Sequence, residues 1–168
     1  MSSKKVKVLS LDISSTCTGY TKFIVNGNTT KHEETSHIKP KGKDMYTRLI
    51  GLDQSMKELG LYEWPDICVI EGYAFAGSKL SHLAEVNGVF KYNLTLNNVP
   101  FTTIAPTTVK KQITGNGRAK KEEVRKILET LPIFKNIVFK NEDESDSAAL
   151  GLSFILKEIL NVKEYTLS

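Results

Sequence analysis

The run ICVIEGYAFAG, residues 67–77, carries four apolar side chains, Ile67, Cys68, Val69 and Ile70, straight into a carboxylate, Glu71. A glycine and two aromatics follow. A short continuous apolar run is the pattern of a strand covered on both faces. Such strands belong to parallel or mixed sheets between layers of helices. Ligands in those sheets bind beyond the carboxyl ends of the strands, which is where Glu71 stands. The first strand-like run, VKVLSLDI (6–13), repeats the arrangement with Asp12. A buried, unpaired carboxylate costs several kcal/mol or takes up a proton. Singly, each acid has an ordinary explanation: Asp12 could cap the SSTCTG turn, and Glu71 could pair with a lysine. If the two strands are parallel neighbours, the acids lie side by side and repel unless a proton or a cation sits between them.

A third element adds to the pair. Asp143 and Asp146 are three apart at the start of the last helical segment, so both can lie on one face. A helix N-terminus also favours ionised carboxylates, which is the plainer role for them. Taken with Asp12 and Glu71 they form a hard, oxygen-only donor set, which selects Mg²⁺ or Mn²⁺ over zinc. Two such ions about 3.5–4 Å apart can activate a water and stabilise the leaving oxygen of a phosphodiester. His32, His37 and His82 share no ligand spacing and read as surface or packing residues.

Outward from the acids, GYTKFIVNG (19–27) alternates and ends in a hairpin turn, Asn26-Gly27-Asn28, and TTKHEETSHI (29–38) reads as its partner strand. KPKGK (39–43) is a polar loop. Met45, Leu49, Leu52, Met56 and Leu59 recur at helical spacing over 44–60, with Gly60 as a stop. Residues 78–98 read as a long helix capped by Ser78, 100–106 as a strand, and 107–114 and 118–131 as helices separated by GNG. Residues 132–140 read as irregular or briefly extended, and 143–160 as one helix. Three strands in a meander, then helix, strand, helix, strand and helices, predict one α/β domain over 1–168 with a mixed sheet.

The chain is 168 residues long with a net charge of +4. No apolar run approaches the roughly 20 residues a membrane span needs, and the N-terminus has no apolar signal core. Cys17 and Cys68 lie in apolar, strand-like contexts and read as reduced core thiols. The charge is unevenly placed. Residues 109–126 hold seven Lys or Arg and two Glu, whereas NEDESD downstream holds four acids. A basic stripe near an acidic point suits a polyanion with a metal at its reaction centre. Two solvated surface segments would give the same pattern.

Four segments together resemble the RuvC-type Holliday junction resolvases of the RNase H-like nuclease superfamily. LSLDISSTCTGY resembles the first strand, its aspartate and the Thr-Gly-Tyr that follows. ICVIEGYAFAG resembles the strand that ends in the second acid. APTTVKKQITGNGRAKKEEV resembles the basic helix, the Gly-x-Gly break and the lysine after it. EDESDSAALGL resembles the last helix with its D-x-x-D-x-x-A pattern. The segments stand in the family's order across residues 9–152.

The resemblance implies an RNase H-like α/β fold, a mixed five-stranded sheet flanked by helices. It implies that Asp12, Glu71, Asp143 and Asp146 hold two Mg²⁺ ions, with Mn²⁺ as a substitute, and leaves Glu142 and Glu144 as rivals of Asp143. Lys110 and Lys121 fall on basic positions linked to DNA phosphate contact, Lys121 also to catalysis, and Lys111, Arg118 and Lys120 would widen that surface. An aromatic three residues after the second acid, common in the family, is here Ala74. Tyr73 or Phe75 would then stack on a DNA base, and strict junction specificity is in question. The resemblance further implies a homodimer, joined through the 78–98 helix around Gly88, that cuts two strands of a four-way junction; with no apolar signal core, the chain is expected in the cytoplasm. Two other readings stay open. One is a nucleotide-binding domain of the actin and sugar-kinase type, for which the chain is short and SSTCTG is poor in glycine. The other is a module that binds branched DNA without cutting, which four acids at the contact surface oppose.

Overall fold

The computed structural model describes residues 5–72 and 80–161. Tyr73, Ala74, Phe75 and the proposed cap Ser78 lie outside the described residues. In chain order the elements are β1 (Lys5–Asp12), β2 (Thr18–Asn26), β3 (Thr29–Ile38), α1 (Met45–Glu58), β4 (Ile67–Glu71), α2 (Leu80–Leu96), β5 (Phe101–Ile104), α3 (Pro106–Thr114), α4 (Lys121–Thr130) and α5 (Glu142–Phe154). The sheet order is β3-β2-β1-β4-β5. β1 runs antiparallel to β2 and parallel to β4, and β4 is parallel to β5. This is the expected mixed, five-stranded sheet.

Local chemistry sets the element ends. Gly27 turns the β2–β3 hairpin at φ 58°. Asp44 caps α1 by accepting from Thr47 N at 2.9 Å, and Gly60, at φ 64°, follows its end. Pro106 opens α3, where its missing N–H costs nothing. Gly115 closes it in the left-handed region at φ 77°. Two expectations need correction. The helix read at 118–131 begins at Lys121, because Lys120 N donates to Glu123 Oε2 at 2.8 Å and fixes the start there. Residues 132–140 are irregular, as expected, apart from a short tight turn at Pro132–Phe134, with Phe134 and Phe139 buried. The last helix keeps α-geometry only to Phe154 and then widens into a π-type turn over Ile155–Ile159.

Period-two alternation gives the sheet two unlike faces. Leu9 and Leu11 of β1, with Tyr20, Cys68 and Ile70, pack against Leu49, Leu52 and Met56 of α1 and Val86, Phe90 and Leu94 of α2. The other face of β1 carries Val8, Ser10 and Asp12 toward α5. There Ser10 Oγ donates to Ser147 O at 2.7 Å, and Thr21 Oγ1 and Ser147 Oγ are 2.9 Å apart. Two glycines let α5 come this close. A Cβ on Gly19 would stand 1.9 Å from Asp143 O, and one on Gly151 would stand 2.5 Å from both Phe23 Cε2 and Ser10 Oγ.

Candidate active site

β1 and β4 deliver the first two acids. Their register pairs Leu11 with Ile70, so Asp12 and Glu71, one residue on, lie side by side at the carboxyl end of the sheet. Both point to the α5 face. The third acid comes from the first turns of α5, whose start is fixed by Asn141 accepting from Glu144 N at 2.9 Å. From that docked helix Asp146 faces Asp12 and Glu71. Lys121, the first residue of α4, hydrogen-bonds to Asp146 Oδ2 and lies 4.0 Å from Glu142 Oε2.

The electrostatics follow from burial and crowding. Burial, then Glu71, Asp146 and Asp143, push Asp12 up to about 8 against the opposing pull of Lys121. Burial and Asp146 push Glu71 up to about 7, with Lys121 and Lys110 opposing. Asp146 is also raised, chiefly by burial, although Lys121 pulls it down. Burial lowers Lys121, but Asp146, Asp12 and Glu71 outweigh it and hold the ammonium above its ordinary range. Each of these acids would ionise more readily with a further positive charge beside it.

The helix also sorts its own acids. Glu144 points the other way. It is 2% exposed, stands 2.8 Å from His37 Nδ1 and accepts from Lys140 N at 2.6 Å. It ties α5 to β3 and is no candidate ligand. Glu142 is 72% exposed and reaches only toward Lys121. Asp143 stands by the Cys17 thiol, which burial and this carboxylate push up to about 12. Cys17 therefore lies in the turn after β1, half-buried beside the acids, and not in a strand. Cys68 is the buried core thiol of β4, as expected.

The basic residues divide. Lys110 and Lys121 line a cleft of about 250 Å³ together with Glu71, Asp146 and Pro106. Lys111 opens instead on a larger cleft of about 630 Å³ with Thr107, Gly117 and Lys157, away from the carboxylates. Arg118 and Lys120 are exposed on the segment leading into α4. His37, Gly19 and Cys17 are the site residues that sequence reasoning missed. Gly19 had a signal, the Thr-Gly-Tyr pattern. The His37–Glu144 pair spans 107 positions and had none.

Among the described residues no three His, Cys, Asp or Glu side chains stand close enough to hold a metal ion as they are. The positive charge in place is Lys121. The donor chemistry nevertheless fits a hard divalent cation: buried carboxylate oxygens from β1, β4 and α5, raised by burial and by one another, with Asp146 salt-bridged to Lys121.

Comparison with known proteins bears on the family and the fold. The family profile described as "Crossover junction endodeoxyribonuclease RuvC" matches residues 8–154. A protein of that name from Geotalea uraniireducens is 26% identical over 159 residues, 93% of this chain and 92% of its own. One from Brachyspira hyodysenteriae is 34% identical over 111 residues, 65% of this chain and 63% of its own. The solved structure of Thermus thermophilus RuvC in complex with a Holliday junction substrate superposes with a TM-score of 0.76 at 18% identity, over 93% of this chain and 96% of that one. At that identity the likeness concerns the fold.

Proposed function

The chain belongs to the RuvC family of crossover junction endodeoxyribonucleases, and from that premise we propose how its own residues carry out junction resolution. The protein is a metal-dependent endonuclease that resolves four-way junctions as a homodimer. The reading of the site rests on one observation: Asp12 and Glu71 end neighbouring parallel strands and face Asp146 from the docked helix α5.

Asp12, Glu71, Asp143 and Asp146 would hold the divalent ions, Mg²⁺ with Mn²⁺ as a substitute, two to a site. Bound there, the metal supplies an activated water and charge stabilisation for an in-line displacement at phosphorus. In the net hydrolysis the water oxygen would form the new P–O bond as the bond to the leaving sugar oxygen breaks, one water proton passing to solvent and solvent returning one to the leaving oxygen. No side chain serves as a nucleophile. The one thiol at hand, Cys17, is pushed up to about 12 and stays protonated.

Asp146 is the acid whose partner must change, since it holds Lys121. That frees the ammonium for a phosphate oxygen, with Lys110 across the same cleft. Lys111, Arg118 and Lys120 would follow the backbone outward. These contacts set register and salt dependence without reading sequence. Tyr73 or Phe75 would stack on an unpaired base at the crossover.

The dimer face lies on α2. Its wide apolar surface divides, with Val86 and Phe90 buried in the core. Val89 and Tyr92 line a groove of about 440 Å³ shared with Tyr46, Leu49 and Ile50 of α1. A Cβ on Gly88 would meet nothing within 4 Å, so a second copy can approach there. We further propose that residues 1–168 act as one nuclease domain in the cytoplasm. Among the described residues no helix is long and apolar enough to cross a membrane.

The test is cleavage of end-labelled four-way junction, three-way junction, flap and linear duplex with Mg²⁺, Mn²⁺ or EDTA. Paired symmetric nicks in the four-way junction, lost in EDTA and in Asp146→Asn, are expected. Full activity in Asp146→Asn would remove the proposed site.

A further inference from the structure

The carboxyl end of the sheet has two flanks, and the function described above uses only one. β3 runs antiparallel to β2, and β2 antiparallel to β1, so β3 ends at the same end of the sheet as β1, β4 and β5. Ile38, its last residue, pairs with Thr18. The chain leaving it reads Lys39-Pro40-Lys41-Gly42-Lys43. On the far edge, β5 leads into α3 and Lys110. The acids therefore stand between two basic segments. Each edge strand lies two strands from β1, roughly 10 Å at about 4.8 Å per spacing.

The lysine loop is built onto the site. A Cβ on Gly42 would stand 2.5 Å from Thr47 Oγ1 and 2.6 Å from Arg48 N, so the loop lies tight on the first turn of α1. A Cβ on Gly51 would stand 3.2 Å from Lys41 O, a second close approach. α1 is tied in turn to the segment after Asp12, where Arg48 Nε donates to Ser15 O at 2.9 Å. That segment is knotted by its own hydroxyls: Ser14 Oγ and Thr16 Oγ1 are 2.9 Å apart, and Thr18 Oγ1 donates to Ser14 O at 2.9 Å. Lys39 stands near enough to the Cys17 thiol to act on it. Lys39, Lys41 and Lys43 are exposed, and none has a carboxylate within 4.0 Å among the described residues. By contrast Lys22, Lys31 and Lys57 each have one. A fixed loop of three uncompensated ammonium groups beside a phosphodiester-cutting centre is suited to phosphate.

We propose that Lys39, Lys41 and Lys43 form a second nucleic-acid backbone contact, on the β3 side of the carboxylates, so that the DNA straddles the site between this loop and the α3–α4 lysines. The proposal rests on the endonuclease reading. It assigns the loop a positioning role, with no part in the chemistry.

The test is equilibrium binding of a labelled four-way junction in EDTA, which prevents cutting, over a salt series from about 50 to 200 mM. Wild type, K39Q/K41Q/K43Q and K5Q/K31Q are compared. Lys5 and Lys31 lie at the opposite end of the sheet. Each lost phosphate contact lowers the slope of log K against log salt by about 0.9. The triple variant should lose about two to three from the slope and bind at least about tenfold more weakly at the low-salt end. K5Q/K31Q should keep the wild-type slope. A triple variant with the wild-type slope, or one no lower than that of K5Q/K31Q, overturns the second contact and leaves the nuclease reading standing. A wild-type chain with no preference for the junction over linear duplex overturns both.

Discussion

The two faces of one strand, β1, meet their neighbours by opposite means. Toward α1 and α2 it presents Leu9 and Leu11, both fully buried, to a layer of Leu, Met, Val and Phe. Toward α5 it presents Val8, Ser10 and Asp12: Val8 joins an apolar core with Phe23, Val69, Leu150 and Phe154, and past it the contact is made by hydroxyls and glycines. The first face is bulk hydrophobic burial, about 25 cal/mol per Å² removed from water. The second has an apolar core as well, but around Ser10 it gives up side-chain bulk so that a helix backbone can come within reach of the strand. The difference teaches where the chemistry resides: both faces carry an apolar core, and the reactive groups stand where the α5 face turns polar at the carboxyl end of the strand.

Single substitutions can break that division. The largest effect should come from Asp12→Asn or Glu71→Gln. Cleavage should fall by at least about a thousandfold while junction binding is retained and the melting temperature holds or rises; cleavage and thermal unfolding on the same preparations check this. A variant that lost its fold instead would show that the acid also holds the sheet together. Next is Gly19→Ala, whose new Cβ would collide with Asp143 O. The first turn of α5 must shift, and we expect roughly a hundredfold loss of activity with about 1–3 kcal/mol of stability, read by kinetics and denaturant melts.

Across the strand, Leu11→Ala should do the reverse: about 2–5 kcal/mol lost in denaturant unfolding, with activity per folded molecule largely kept. Smaller is the response to pH. Asp12 at about 8 and Glu71 at about 7 lie above the ordinary carboxylate range. The metal-free folded chain therefore holds more protons than the unfolded one between about pH 4 and 8. Its stability should fall as pH rises through that window. Metal affinity should rise over the same upper range, because binding expels those protons. Melting curves in EDTA and metal titration by calorimetry check the two signs. Asp12→Asn should flatten both. Last, Glu144→Gln keeps the shape and removes the charge facing His37. A loss of cleavage of about tenfold or less is expected, with the α5 contact otherwise intact.

Much of this was legible in the chain, for physical reasons. The apolar runs into Asp12 and Glu71 named two strands, since strand propensity and burial are local properties; that the acids share one end of the sheet followed only once the strands proved to be parallel neighbours. The D-x-x-D spacing of α5 placed Asp143 and Asp146 together. Glu144 could not be removed by spacing alone. Its partner His37 comes from an edge strand 107 positions away. The start of α4 was misplaced by three residues because Arg118, Ala119 and Lys120 are acceptable in a helix. Only the reciprocal bonding of Lys120 and Glu123 fixes the true start. The lysine loop read as polar punctuation, because nothing local says that β3 returns it to the end of the sheet that holds the acids.

The seam between α5 and the sheet has one further consequence. Where Ser10, Gly19, Ser147 and Gly151 meet, the side chains have few or no rotamers, so that part of the joint has little side-chain compliance. A seam of leucines and methionines can absorb a displacement by reshuffling χ angles. At these positions a displacement has little side chain to absorb it between the strand backbone and the turns of α5 that carry Asp146. The positional tolerance of the carboxylates is that of the main chain itself. A lone methyl group added along this joint acts as a wedge, and its effect is felt at the scissile bond before it is felt in the fold.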